Sequence, residues 1–250
     1  MNLRAVDIET TGFEPPAYPI EFGWCDVQIA ENGRAEAAVP DSFLFDPKPG
    51  EKIPPAAMAI HHITNEMMVG AIGRDAAIAR LTELLTGADI LVAHQARFEK
   101  QWLAGLTERP WVCTWKVACT RFPDLVSHGL QELRYEFALD SFLPDYRNSE
   151  GLSPSLMPPH RAGPDAAACA LLVGYFLKVG ISVEDMLAIS AKPCLLPRVT
   201  FGKHYGEKWH DIPSSYMDWV MKNMKDDEDV VYTARYWHNI KTYKKQAGGS

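Results

Sequence analysis

Leu3-Arg4-Ala5-Val6-Asp7-Ile8-Glu9-Thr10-Thr11-Gly12 begins the chain with an apolar segment that carries two carboxylates. The apolar residues over 3–9 predict a mostly buried strand, which the Thr-Thr-Gly sequence ends. Since successive side chains of a strand point to opposite faces, Asp7 and Glu9 share one face. Like charges held together in a sheet are costly unless a cation neutralises them, and ligands that are all oxygen favour Mg²⁺ or Mn²⁺. The segment therefore predicts a metal site beside the first strand.

Strands come first along the remaining sequence, and helices alternate with strands afterwards. Strands are predicted over 3–9, 20–27, 37–45, 89–94 and 111–114, with a turn at 31–33 and a loop over 47–55. Helices are predicted over 74–86, 96–106, 115–122, 130–137, 164–178, 216–224 and 230–243. This order predicts an α/β fold in which helices flank a mixed sheet. The character changes beyond Pro193, so we expect a domain over 1–195, a small α-rich extension over 196–250 and disorder at 247–250.

The composition excludes several classes of protein. The 250 residues are 47% hydrophobic and 23% charged, which excludes collagen-like and fully disordered chains. No apolar run is long enough to span a bilayer, and no secretory signal precedes the first strand, so we expect a cytoplasmic protein without membrane contact. The five cysteines are scattered and predict buried thiols. The net charge is −7, but 198–250 carries nine basic against seven acidic residues, so the extension is the basic part.

Two further acidic residues follow histidines at helix starts. In His94-Gln95-Ala96-Arg97-Phe98-Glu99, a buried strand gives way to a helix, where open α/β sheets usually bind ligands. In His160-Arg161-Ala162-Gly163-Pro164-Asp165, the proline suits the first helical position and places Asp165 in the first turn. Each motif also has an ordinary interpretation, a surface charge for Glu99 and a plain helix start for Asp165. The D-x-E spacing is weak by itself too, since it recurs at 226–228, where a solvated helix face is expected.

Taken in order, D-x-E-T-T-G, H-x-A-x-F-E and H-x-A-x-x-D resemble the DEDDh family of 3′–5′ exonucleases, which have the ribonuclease-H-like fold. The sequence Ala-Ile-His-His-Ile-Thr over 59–64 is similar to the I-H-x-I-T element of that family. The segments 200–208 and 216–219 are similar to the C-terminal extension of one type of exonuclease in the family. The resemblance therefore covers about 1–180, and the extension adds to it.

The resemblance implies a mechanism. Asp7, Glu9, Glu99 and Asp165 would hold two divalent ions, Mg²⁺ or Mn²⁺, and His160 would act as general base. The enzyme would hydrolyse the 3′-terminal phosphodiester bond of DNA, on single-stranded or frayed ends, and release 5′-mononucleotides. The positions that border the terminal nucleotide in the family correspond to Thr10, Thr11, Phe13, His61 and Phe98. Core packing is an equal alternative for Phe13 and Phe98, and lysines of the extension are candidates for contact with the phosphate backbone.

Two residues differ from the usual family pattern. The second motif has Gln95 and Glu99 where the family usually has asparagine and aspartate, and glutamate reaches about 1.5 Å further. This change favours a small backbone adjustment or a preference for Mn²⁺. Gly163-Pro164 replaces helix-forming residues, which suggests that His160 lies on a mobile loop and orders with substrate. An exoribonuclease acting on short RNA and a catalytically idle nucleic-acid-binding module stay open as alternatives, as do the pathway and the oligomeric state.

Overall fold

A computed structural model describes residues 1–13, 15–31, 35–142 and 156–247. The predicted turn at 31–33 and the predicted disorder at 247–250 lie largely outside the described residues. The strands are β1 (Asn2–Thr10), β2 (Pro19–Ile29), β3 (Ala35–Ala37), β4 (Asp41–Asp46), β5 (Ile72–Gly73), β6 (Ile90–Ala93) and β7 (Trp111–Cys113). The helices are α1 (Pro55–His61), α2 (Arg74–Thr86), α3 (Ala96–Trp102), α4 (Thr114–Arg121), α5 (Leu130–Glu136), α6 (Ala162–Lys178), α7 (Val183–Ser190), α8 (Ser214–Asn223) and α9 (Glu228–Ala247).

The strands form one mixed sheet in the order β5-β4-β2-β1-β6-β7, with β3 beside β2. Strand β2 pairs antiparallel with β1, β3 and β4, whereas β6 pairs parallel with β1 and β7. Helices α2 and α6 pack against this sheet. The predicted α/β class, a mixed sheet flanked by helices, is confirmed.

Several predicted boundaries were wrong for local reasons. The strand expected over 37–45 is two short strands, because Pro40 lies between them and has no backbone N–H to donate. The helix expected over 96–106 ends at Trp102, and Gly105 follows with a φ of 79°. Helix α6 begins at Ala162, two residues before the predicted start. Helices α1 and α7 were not predicted.

The two faces of β1 have different surroundings. Val6 and Ile8 lie on one face and belong to a hydrophobic cluster that includes Phe22, Leu81 and Leu85. The other face carries Leu3, Ala5, Asp7 and Glu9, by the two-residue period of a strand. Helix α6 packs against β1 and β2. The two carboxylates of β1 therefore point away from the larger cluster.

Gly23 allows the first turn of α6 to approach the sheet. It lies opposite Asp7 in the pairing of β1 with β2. A Cβ atom at this position would lie 2.1 Å from the carbonyl carbon of Ala162 and 2.3 Å from the amide nitrogen of Gly163. Glycine is therefore required for this approach, which places the start of α6 beside Asp7.

The chain forms two compact units, 1–115 with 129–187, and 116–128 with 188–250. In the second unit α8 packs against α9, Trp209 is fully buried, and Lys116 forms a salt bridge of 2.9 Å with Asp229. The domain boundary near 195 stays a proposal. All five cysteines are buried and free of disulfides, as predicted. Across the described ranges, no single helix is long and apolar enough to cross a membrane, although α6 and α7 reach that length as a pair bent by 117°.

Candidate active site

Three carboxylates from two elements converge beside β1. Asp7 and Glu9 extend from the strand, and Asp165 lies in the first turn of α6. One oxygen of each lies within 4.8 Å of the others. A helix N-terminus favours a negative charge, which suits Asp165 to this position. The structure thus brings together three of the four predicted metal ligands.

Asp165 is held by two hydrogen bonds. The backbone N–H of His160 donates to Oδ2 at 2.9 Å, and Nε2 of Gln131 donates to Oδ1 at 2.6 Å. The Nη1 of Arg134 donates to the Oε1 of Gln131 at 3.3 Å. The Arg134 side chain is fully buried and forms a salt bridge with Asp140. The amide of Gln131 is therefore oriented with its nitrogen toward Asp165.

Glu21 and Arg161 form a buried ion pair that fixes the chain before α6. Two guanidinium nitrogens donate to the Glu21 carboxylate at 2.7 and 2.9 Å, and the N–H of Ala162 donates to it at 3.0 Å. Glu21 is 1% exposed and lies opposite Glu9 in the pairing of β1 with β2. The neighbouring His160 adopts a φ of 58°, a backbone conformation that is costly for a residue with a Cβ atom. The ion pair therefore holds the backbone directly after a strained residue.

Glu99 lies in α3 and is 4% exposed, so the alternative of a surface charge is wrong for this residue. Its Oε2 has no hydrogen-bond partner among the described residues. Its carboxylate raises the pKa of Asp7, but it lies outside the group of three that share the 4.8 Å spacing. Glu99 is thus a buried acid whose second oxygen lacks a partner within the described protein.

Burial raises the pKa values of all four acids, and repulsion from neighbouring acids adds to the effect for Asp7 and Glu9. Burial, followed by the charges of Asp165, Glu9 and the other acids, raises the pKa of Asp7 well above its ordinary value. Burial is also the largest cause that raises the pKa of Glu9 to about 8, and Arg161 opposes it. Burial raises the pKa of Glu99 to about 8. For Asp165 burial raises the pKa against the opposing hydrogen bond from His160.

This donor set fits divalent cations. Asp7, Glu9 and Asp165 offer closely spaced oxygens, and Glu99 adds a buried oxygen without a partner. A dication relieves the repulsion that keeps these pKa values high, and oxygen ligands suit Mg²⁺ and Mn²⁺. The residues present therefore match the group that the sequence predicts.

One cavity of about 1040 Å³ contains the carboxylates and all the other predicted site residues. The predicted residues along its wall are Asp7, Glu9, Thr10, Thr11, Phe13, His61, Phe98, Glu99, His160 and Asp165. The structure brings them together, while their individual roles stay predictions.

The predicted substrate-contact residues differ in exposure. Phe13 is 75% exposed, so core packing does not explain it, whereas Phe98 is half-buried with its ring 6.1 Å from that of Trp102. His61 is buried, and this burial lowers its pKa. The backbone N–H of Thr11 donates to the carbonyl oxygen of Tyr18 at 2.9 Å, so it is already bound within the protein.

His160 lies on the wall of the cavity with its side chain exposed. Its backbone N–H is bound to Asp165, so the backbone is anchored at this point. Ordering of the imidazole with substrate stays a prediction.

Sequence reasoning missed Glu21, Gln131 and Tyr135. Tyr135 lies on the cavity wall and is largely exposed, as α5 carries it to the rim. Glu21 had a signal in the sequence, because it is a charge between the apolar Ile20 and Phe22 of a predicted strand. A buried charge needs a partner. Gln131 and Tyr135 carried no comparable signal.

Comparison with known proteins identifies the family. The family model described as Exonuclease (RNase_T) matches residues 5–172, which is more than half of the chain. Exodeoxyribonuclease 10 of Escherichia coli K12 is 26% identical over 226 residues, which cover 89% of this chain and 91% of that protein.

Solved structures show the same fold. Exonuclease X in complex with 5′ overhanging duplex DNA matches with a TM-score of 0.57 and 26% identity, over 75% of this chain and 99% of that one. The nuclease domain of 3′hExo, a DEDDh family member bound to rAMP, matches with a TM-score of 0.53 over 72% of this chain and 92% of that one. At 15% identity, the second match supports the fold alone. The chain therefore belongs to the exonuclease family, as a 3′–5′ exonuclease.

Proposed function

We propose that this exonuclease hydrolyses the 3′-terminal phosphodiester bond of DNA, on single-stranded or frayed ends, and releases 5′-mononucleotides. The observation that carries the proposal is the convergence of Asp7, Glu9 and Asp165 within 4.8 Å, in a cavity that also contains Glu99 and His160. The similarity to a protein named Exodeoxyribonuclease 10 and to exonuclease X solved with duplex DNA favours DNA as the substrate. The cytoplasmic location expected from the sequence stays a prediction.

The exonuclease family depends on divalent metal ions, and the acidic cluster fits them. Asp7, Glu9, Glu99 and Asp165 would hold two ions, either Mg²⁺ or Mn²⁺. When bound, the ions would orient the phosphate and stabilise the attacking and leaving oxygens.

The protein groups around the cluster would supply the remaining chemistry. The exposed imidazole of His160 would accept the proton of the attacking water, because histidine is the side chain that most often acts as a general base. The Glu21–Arg161 ion pair would keep the His160 backbone in place. The exposed ring of Phe13 would stack on or wedge beside the terminal base. Such stacking does not depend on which base is present.

The test is the release of mononucleotides from a 3′-labelled DNA oligonucleotide with Mg²⁺ or Mn²⁺. Asp7→Ala should abolish release, because the variant loses a carboxylate from the cluster. Asp226→Ala, in the second D-x-E sequence, is the matched control and should keep full activity. Release by Asp7→Ala at the normal rate would contradict the proposed site. If the unmodified chain releases no nucleotides, the alternative of a catalytically idle nucleic-acid-binding module is favoured instead.

A matched RNA oligonucleotide in the same assay separates the two nucleic acids. We expect faster release from DNA. Faster release from RNA would replace the proposed substrate with short RNA.

A further inference from the structure

The second unit contains a closed loop over 198–208, which we call the aromatic loop. Its ends meet at a bridge between Arg198 and Lys208, and the N–H of Gly206 donates to Val199 at 2.8 Å. Gly202 has a φ of 64°, and a Cβ atom there would lie 2.7 Å from the hydroxyl oxygen of Tyr216. The loop is therefore built against α8 with a defined conformation.

Aromatic rings line up beside this loop. Tyr216 stacks with Trp219 at a centroid distance of 5.5 Å and with Phe201 at 6.5 Å. Trp219 is 49% exposed, although Met217 and Val220 already supply the buried face of α8. Tyr205, in the loop itself, is 75% exposed. These exposed rings are not needed to fill the core of the unit.

The lysines beside the rings lack acidic partners among the described residues. The Nζ of Lys203 lies 5.4 Å from the centre of the Tyr216 ring. Within the described part of the chain, neither Lys203 nor Lys208 has a carboxylate within 4.0 Å. The nearby carboxylates of Glu207 and Asp218 contact imidazoles of histidines instead, at 3.0 and 3.1 Å. The surface therefore offers cations to an anionic ligand.

We infer that the aromatic loop, with Tyr216 and Trp219 of α8, is a second binding surface for single-stranded DNA. Aromatic rings that stack on bases, combined with cations that contact phosphates, are the typical surface for single strands without sequence preference. A peptide partner would not need stacked flat rings together with unpaired lysines. The inference rests on the proposed function, because the DNA substrate supplies a single strand beyond the 3′-terminal nucleotides.

The test compares a long and a short strand on the full-length protein. Binding of fluorescein-labelled dT20 and dT4 is measured by anisotropy in EDTA, so that the strands stay intact. Trp219→Ala and Tyr205→Ser should each weaken dT20 binding about 5- to 10-fold, in line with the loss of one stacked base, and leave dT4 binding unchanged. Lys203→Ala should lower the slope of log K against log salt by about one, as for one lost phosphate contact.

Tyr232→Ala is the matched control, because it removes an exposed ring that belongs to α9 rather than to the loop or α8. Tyr205 stacks on no ring of the described residues and is mostly exposed, so its variant tests the surface even if Trp219→Ala fails to fold. Unchanged dT20 binding by Tyr205→Ser, or an equal loss for dT4, would overturn the inference. If the variants weaken the binding of labelled rU20 but not of dT20, the assignment to DNA is overturned. Release of nucleotides from dT4 with Mg²⁺ tests the proposed function separately, since that assay does not need the loop.

Discussion

Burial raises the pKa of Asp7, and four nearby acidic residues raise it further. The Asp7 carboxylate therefore destabilises the metal-free protein, although the proposed chemistry requires it. We expect Asp7→Asn to raise the melting temperature of the metal-free protein by several degrees at pH 8–9, because it removes a buried acid from a cluster in which the pKa values of Glu9 and Glu99 are about 8. The same variant should lower nucleotide release about 10³-fold or more, because it lacks a carboxylate of the proposed metal site. Removal of a buried like charge thus stabilises the fold at the expense of activity.

Thermal unfolding in EDTA, beside the release assay, measures both effects. Asp226→Asn serves as the control and should change neither quantity. A lower melting temperature for Asp7→Asn would show that its carboxylate stabilises the metal-free fold and that the repulsion argument fails.

Arg161 acts on the site through its backbone. Its guanidinium makes two bonds to Glu21, and the residue lies between the strained His160 and the first turn of α6. We expect Arg161→Lys to lower kcat about 10- to 100-fold with little change in KM, because lysine cannot reproduce the two-point contact. Steady-state kinetics measures the split, with Arg80→Lys on the surface of α2 as control. A change in KM alone would indicate that Arg161 binds substrate instead.

At the scale of secondary-structure elements, the position of helix α6 depends on Gly23. We expect Gly23→Ala to lower the free energy of unfolding by about 1–3 kcal/mol, because a methyl group overlaps the backbone at Ala162. The displaced first turn moves Asp165 away from Asp7, so nucleotide release should fall at least about 10-fold. Urea unfolding and the release assay check both expectations.

Gly174→Ala is the matched control for this substitution. No atom of the described residues lies within 4 Å of a Cβ atom there, and the residue is in the interior of the same helix, so stability should rise by about 0.5–1 kcal/mol. Equal effects of the two substitutions would show that the close approach of α6 to β2 is not the reason for Gly23.

The elements could be predicted where the pattern is local. The alternation around Asp7 and Glu9 predicted a strand and a shared face, and Pro164 predicted that Asp165 lies in the first turn of a helix. The register of β2 against β1 could not be predicted, since periodicity does not say which strand lies beside which. The sequence therefore named the acids that converge but missed Glu21 and the role of Gly23, which depend on that register.

At the scale of the whole molecule, the acids link stability to pH. The folded chain holds Glu9 and Glu99 at a pKa of about 8, whereas the ordinary value is 4.5. Between pH 4.5 and pH 8, the folded state therefore binds more protons than the unfolded chain. The stability of the metal-free protein should therefore be highest near pH 5 and fall as the pH rises through 8. The loss comes from charging buried acids that have no cation.

Divalent ions should reverse this trend, because they bind the charged carboxylates and compete with protons. We expect Mn²⁺ or Mg²⁺ to stabilise the protein little near pH 5 and most above pH 8. Urea unfolding from pH 5 to 9, with EDTA and with metal, measures both curves. Glu99→Gln should flatten the metal-free curve, since it removes one of the groups that titrate, whereas Glu108→Gln, an exposed control, should leave it unchanged. A metal-free stability that rises between pH 5 and 8 would show that these acids are charged in the folded protein without a metal, and that the acidic cluster is not the destabilised site described above.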